Sequence, residues 1–485
     1  MSPSPYDELP YADYAFPRTH PEHLFAVSAL CGRPAPPFAR CRVLELGCAR
    51  GANLLPMALD LPESRFVGVD LSAVQVAEAR DRAAALGLAN VSFRAESIEA
   101  LSDDEPFDYV LCHGVYSWVP PAVRDAILAA CRDRLRPDGV AYVSFNALPG
   151  WNALRTLRDY LREHCPPGPA RERLARARRA LAVLDASLRA DASPWSAWMR
   201  AELRALADAD DAYLFHEHLE AVNDAVYLRD FAAHARAHGL AWLADADLRV
   251  AAPSLRPGSG DPLALAQSVD FTLNRRFHAA LLVPAASAAG RADPAALARL
   301  QLATRAAPPD ADAAALTDDR AVTFPGDDGP TVLRDPWMKC ALAALAAEDR
   351  RPLSYAALSA AAAARLGLDR RAALSAAAAR APAALELLFD GALSLHAGPA
   401  RYAEAAGLRP RASPLARSQA RASELVTTLR HTRLAVPDPV RAVLRLADGT
   451  RDRAALLAAL PPDAQRAGDC EAALDWLASN ALLLG

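Results

Sequence analysis

Residues Arg42 to Asp70 constrain the fold of this chain more than any other stretch. Arg42-Val43-Leu44-Glu45-Leu46 is a short apolar run that ends in Gly47-Cys48-Ala49-Arg50-Gly51, and a helical run then leads to Phe66-Val67-Gly68-Val69-Asp70. That order is strand, glycine turn, helix and second strand closed by an acid. It is the opening βαβ unit of a doubly wound sheet, which binds a nucleoside cofactor across the carboxyl ends of its strands. Gly47 and Gly51 leave room for backbone to approach a ligand, and Asp70 stands where a carboxylate accepts two ribose hydroxyls.

The loop distinguishes between two cofactor classes. A dinucleotide site needs Gly-x-Gly-x-x-Gly so that helix amides hold a pyrophosphate. Here Ala49 occupies the middle glycine's place and Glu45 lies two residues before Gly47. An acid beside the turn suits S-adenosylmethionine, which has no phosphate and carries a sulfonium and an ammonium.

The length, 485 residues, suggests about three domains, and 52% hydrophobic residues can bury substantial cores. A net charge of −4 offers no basic stripe for nucleic acid. Lys339 is the only lysine, so arginine carries nearly all the positive charge. The eight cysteines are scattered without a Cys-x-x-Cys pair and read as free thiols, and no metal ligand set is read from the sequence. No segment looks apolar for long enough to span a bilayer, and the acidic, Pro-rich start lacks the features of a secretory signal, so a cytoplasmic location without membrane insertion is expected.

Residues 1–38 hold Tyr6, Tyr11, Tyr14 and Phe16 and are expected to fold as a cap over the cofactor. The core, residues 39–151, continues with a helix burying Val76, Ala79, Ala83 and Leu86, and a third strand near Val91. Ser97 and Ile98 follow that strand, on the adenine side. A fourth strand, Phe107 to Cys112, runs into His113-Gly114-Val115-Tyr116-Ser117-Trp118-Val119-Pro120. This loop leaves the carboxyl edge, where the transferred methyl and its acceptor meet. Tyr116 and Trp118 are expected to wall an apolar slot that desolvates an amine, with His113 a candidate proton acceptor. Pro137-Asp138-Gly139 turns into a fifth strand, Val140 to Phe145, beyond which Asn146 and Trp151 border the acceptor.

The expected cofactor contacts are therefore Tyr14, Glu45, Gly47, Cys48, Ala49, Gly51, Asn53, Asp70, Leu71, Ser97, Ile98, His113 and Gly114. The expected acceptor-side residues are His113, Tyr116, Trp118, Asn146 and Trp151. Residues 152–285 read as a helical insertion followed by the returning strands Leu240 to Leu243 and Phe277 to Val283. Residues 286–320, rich in Ala, Pro and Asp, read as a linker. Residues 321–400 read as a winged-helix-like unit contacting protein rather than DNA, and residues 401–485 as a helical domain.

Glu45-Leu46-Gly47-Cys48-Ala49, His113-Gly114-Val115-Tyr116-Ser117-Trp118-Val119-Pro120, Ser144-Phe145-Asn146 and Pro149-Gly150-Trp151 together resemble bacterial class I methyltransferases that carry a methyltransferase regulatory domain. The rickettsial outer-membrane-protein lysine methyltransferases are among these. Asp7-Glu8-Leu9-Pro10-Tyr11, Thr19-His20-Pro21, His216-Glu217-His218-Leu219-Glu220, Arg275-Arg276-Phe277 and Leu446 to Arg453 match as well. The resemblance implies an α/β fold, a Rossmann-like class I methyltransferase sheet with a helical insertion and C-terminal, mainly helical winged-helix-like domains. It also implies S-adenosylmethionine as cofactor, a protein or peptide acceptor with a lysine amine favoured, and dimerisation through the part that holds His216, Glu217 and Glu220. Two other readings stay open: a small-molecule or natural-product methyltransferase, and a cofactor-binding regulator without turnover.

Overall fold

The computed structural model describes residues 9, 14–102, 105–256, 258, 260–287, 291–327, 329–461 and 467–485. Tyr6, Tyr11 and most of the Asp7 to Tyr11 motif lie outside the described residues. The chain enters through α1 (Pro21–Leu30), whose first turn is capped by the His20 ring accepting the Glu22 amide, and passes into β1 (Arg42–Leu46). α2 (Leu54–Asp60) leads to β2 (Arg65–Asp70), α3 (Ala73–Ala85) to β3 (Val91–Ala95), and β4 (Phe107–Cys112) through α4 (Pro121–Arg134) to β5 (Leu135–Asn146). The insertion follows as α5 (Trp151–His164), α6 (Ala170–Leu188), α7 (Pro194–Ala207) and α8 (Asp211–His218). Then come α9 (Leu228–Ala237), β6 (Leu240–Asp245), α10 (Leu248–Leu255), α11 (Pro262–Leu273) and β7 (Phe277–Pro284).

These strands form one seven-stranded sheet in the order β3-β2-β1-β4-β5-β7-β6, with β7 antiparallel to both neighbours. β1 carries apolar residues at successive positions, Val43 and Leu44, because both its faces are covered. Val43 packs beneath α1, α2 and α3 with Leu54, Met57 and Val76, while Leu44 and Leu46 pack beneath α4 and α9 with Ile127 and Phe231. The strand order reverses between the parallel neighbours β1 and β4, so the connections that leave their carboxyl ends diverge and open a crevice. Pro137-Asp138-Gly139 is not a turn before β5 but a bulge within it: Phe107 faces Leu135 while Tyr109 faces Val140.

Of the segment expected as a linker, 286–320, the described residues 291–320 are structured. It supplies β8 (Gln301–Thr304) and α12 (Ala313–Thr317), and Leu297, Leu300 and Leu302 join the hydrophobic core that covers one face of the large sheet. A four-residue strand buried on both sides leaves no alternating pattern in the sequence, so composition alone misleads. Beyond it lie a hairpin, β9 (Val322–Phe324) and β10 (Thr331–Leu333), then α13 (Pro336–Ala347), β11 (Leu353–Ser354), α14 (Tyr355–Leu366), α15 (Arg370–Phe389) and β12 (Leu393–His396). β8 is the central strand between β11 and β12, so the middle unit is incomplete without the supposed linker. By length and composition α15 is apolar enough to cross a bilayer, contrary to expectation. In the fold its Ala377, Ala381, Ala384, Leu385 and Leu388 are core residues and Arg380 pairs with Asp335.

The last unit contains α16 (Pro414–Gln419), a hairpin of β13 (Leu425–Thr427) and β14 (Arg433–Ala435), α17 (Asp438–Leu446), α18 (Arg453–Ala459) and α19 (Ala467–Ser479). Its core is separate, built around Val426, Leu444, Leu456, Leu474 and Leu477. The insertion also has its own core, including Leu157, Leu174, Leu203 and Phe215.

Candidate active site

At the carboxyl end of β1 the backbone adopts positive φ at Gly47 (76°), Ala49 (45°) and Gly51 (75°). Protein packing as well as conformation requires both glycines. A Cβ at Gly47 would lie 2.5 Å from Val115 Cγ2, and one at Gly51 would lie 2.6 Å from Phe93 Cζ. Asp70 braces this loop, its Oδ2 accepting the Ala49 amide at 2.9 Å and its Oδ1 the Ser72 amide at 2.9 Å. Cys48 is buried beside Gly68, and burial pushes its thiol well above the ordinary range.

Glu45, at the end of β1, is buried. Its Oε1 accepts Asn53 Nδ2 at 2.7 Å, while Oε2 is buried with no hydrogen-bond partner among the described residues. Burial pushes the Glu45 carboxyl up to about 7, with Asn53 opposing the shift and Asp70 reinforcing it. An orphaned, half-neutralised carboxylate oxygen at this edge fits a cationic ligand.

Asn53 gathers three distant segments. Its Nδ2 also donates to Thr19 Oγ1 at 3.0 Å, and its Oδ1 accepts the Phe16 amide at 2.9 Å and His431 Nε2 at 3.0 Å. His431 sits in the turn between β13 and β14 with φ of 59°, and burial lowers its pKa to about 3, so the ring is neutral. Arg433 lies over the Tyr14 ring at 4.5 Å. Residues 14–19 are thus clamped between the β1 loop and the C-terminal unit. Arg401 adds a second link by pairing with both Glu22 and Asp60.

Across the crevice, His113 Nδ1 lies 2.9 Å from the Tyr142 hydroxyl, and the ring packs on Phe16 with centroids 3.7 Å apart. Burial lowers its pKa to about 4. The ring is therefore neutral and a weak proton acceptor, which disfavours the expected role. The Gly114 amide donates to Ser144 Oγ at 2.8 Å, which holds the loop to β5.

Together with the sheet order, this edge carries the features of one cofactor class. Residues 43–139 match the family described as methyltransferase domain, residues 210–283 the predicted methyltransferase regulatory domain, and residues 409–468 the PKMT C-terminal winged helix domain. The chain belongs to the class I S-adenosylmethionine-dependent methyltransferases with a regulatory domain. Its cofactor is S-adenosylmethionine. PKMT2 from Rickettsia typhi, solved alone and in complex with AdoHcy, superposes with a TM-score of 0.85 at 25% identity over 98% of this chain and 100% of that one. An uncharacterised protein of Rickettsia prowazekii is 35% identical over 47% of this chain and 91% of its own length. A second from that organism is 41% identical over 58% of this chain, but the match spans only 52% of that relative. The third family match places a winged helix inside residues 401–485, in keeping with the expected C-terminal winged-helix-like domains.

The remaining expected site residues of this methyltransferase fall into two groups. Leu71 is exposed (67%) directly after Asp70. Ser97 Oγ accepts the Glu99 amide at 3.2 Å and caps a short turn, and Ile98 is half-buried, packing on the core beneath α4. Trp118 is half-buried, whereas Tyr116 departs from expectation. Its ring is buried against Phe145 and Phe231, and its hydroxyl lies 2.7 Å from His234 Nδ1, so it belongs to the core and not to an acceptor slot. Asn146 is buried, with Nδ2 donating to Asn223 Oδ1 at 3.2 Å. Trp151 is also buried and packs toward His218. His216 is occupied by Glu220 at 3.1 Å and by the Leu9 carbonyl at 2.5 Å.

Several contributors escaped the sequence reading. Phe16, Thr19 and Phe277 lay within stretches already singled out, yet their roles were unassigned. Phe277 is 41% exposed with its ring 5.9 Å from His113. No local signal points from His431 to Asn53, 378 residues away.

Proposed function

We propose that this protein transfers a methyl group from S-adenosylmethionine to a lysine amine of another protein. The observation that carries this reading is the full-length likeness to PKMT2, which extends beyond the cofactor domain through the regulatory and winged-helix parts. Its one lysine supports an acceptor outside the chain. Lys339 is fully buried, its Nζ donating to the carbonyls of Ala315 (2.6 Å), Asp318 (2.7 Å) and Arg320 (2.8 Å). No other lysine is present to compete with a substrate.

S-adenosylmethionine supplies the electrophilic methyl when bound. In this reading Glu45 Oε2 faces its cationic end, Asp70 accepts ribose hydroxyls while bracing the loop, and Leu71 and Ile98 flank the base. The acceptor side is aromatic: Phe16, the neutral His113 ring, Trp118 and Phe277. Such a rim excludes water and lowers the pKa of an incoming ammonium, so the amine reacts with its lone pair free and its proton passes to solvent. Alignment of nucleophile and leaving group then supplies most of the rate enhancement.

The test is transfer of labelled methyl to protein fractions from the source organism, followed by acid hydrolysis. A discrete protein band yielding methylated lysine is expected, and the Lys339→Arg variant should label the same band if it folds. Label confined to small molecules, or to residues other than lysine, overturns the lysine reading.

A further inference from the structure

Asp125 lies in α4, His234 in α9, and His238 is the C-cap that follows α9. Positions four apart share a helix face, so both imidazoles project toward α4. His234 Nε2 lies 2.7 Å and His238 Nε2 3.2 Å from the same atom, Asp125 Oδ1. The ligand atoms of all three residues fall within 4.8 Å of one another. On its far side, His234 Nδ1 lies 2.7 Å from the Tyr116 hydroxyl.

We propose that Asp125, His234 and His238 form a binding site for a divalent transition cation such as zinc on the outer side of the α4–α9 pair. Two imidazoles and a carboxylate are a zinc-type donor set that leaves a fourth position for water. Tetrahedral donors about 2.0–2.1 Å from zinc stand about 3.3 Å apart. The His238 separation of 3.2 Å already meets that spacing. The His234 separation must open by about 0.6 Å, and the Asp125 side chain is 58% exposed and free to swing. A tyrosine hydroxyl both donates and accepts, so Tyr116 can accept Nδ1–H when Nε2 of His234 turns to a metal, fixing the ring as metal-bound histidines require. Arg132 and Asp133 next to His238 pair with each other and add no net charge. All eight thiols are buried and do not compete.

A bound cation would tie α4 to α9. Through Tyr116 it would also steady the loop that leaves β4 and carries His113 and Trp118.

The experiment uses the untagged full-length chain, stripped with chelator and titrated with Zn²⁺ by calorimetry and with Co²⁺ by visible absorption. One equivalent of tight binding with cobalt ligand-field bands is expected. His238→Ala and Asp125→Asn should each weaken it at least about tenfold, whereas His164→Ala, at an exposed histidine outside the cluster, should leave it unchanged. Circular dichroism and thermal melting confirm that each variant is folded. Absence of binding, or binding equal in all variants, overturns the proposal and leaves a hydrogen-bonded histidine pair.

Discussion

Where β1 ends, Glu45, Asn53 and Asp70 are held by hydrogen bonds drawn from residues as distant as Phe16 and His431. Where β4 ends, the rim consists of rings: Phe16 on His113 and Phe277 at its edge, with the half-buried Trp118 five residues on in the same loop. The polar rim is directional and leaves one buried oxygen without a partner among the described residues, which suits one ligand of known charge. The aromatic rim is non-directional and apolar, which suits desolvation of an amine carried on different polypeptides. In the proposed reading, cofactor specificity and acceptor tolerance occupy opposite sides of one crevice.

Five variants test that division. The largest effect is expected for Asp70→Ala, which removes two loop anchors and the ribose acceptors. Calorimetry should show cofactor binding weakened by about 2–3 kcal/mol, and unchanged affinity would remove Asp70 from the polar rim. The next is pH-dependent. Because Glu45 titrates near 7 in the free protein and a cationic ligand favours its ionised form, affinity should rise about tenfold between roughly pH 6 and 8. Glu45→Gln should flatten that profile, and a profile as steep as in the wild type would assign the proton elsewhere.

A smaller loss, about 1 kcal/mol of cofactor affinity, is expected for His431→Ala, which takes one donor from Asn53. His431 also links docking of the C-terminal unit to pH. Its native pKa of about 3 lies below the ordinary 6.5, so between those values the undocked form binds the proton and the docked form does not. Docking should weaken as pH falls below about 6.5 and recover as it rises, read by limited proteolysis of the hairpin. The smallest effect belongs to Tyr116→Phe: about 1 kcal/mol of stability in a thermal melt and no change in acceptor KM. A raised acceptor KM would return Tyr116 to the aromatic rim, where Trp118→Ala is expected to raise it.

The parts legible in the sequence were those governed by neighbours along the chain. Apolar runs, glycine turns and the acid at Asp70 located β1, β2 and the cofactor loop, and even the returning strands β6 and β7. Tyr116 was misplaced because a side chain's direction in a short turn depends on which core lies beneath it. β8 was missed because a short strand buried on both faces has no period to read.

The sequence by itself determined the sheet and the cofactor loop, since strand burial and positive φ are local demands that residue type either meets or fails. Only the tertiary structure decided that Asn53 receives His431, that Asp125 meets His234 and His238, and that β8 completes the middle unit. Those contacts join residues far apart in sequence, and what brings them together is closure of the packed core, which no stretch of chain specifies alone.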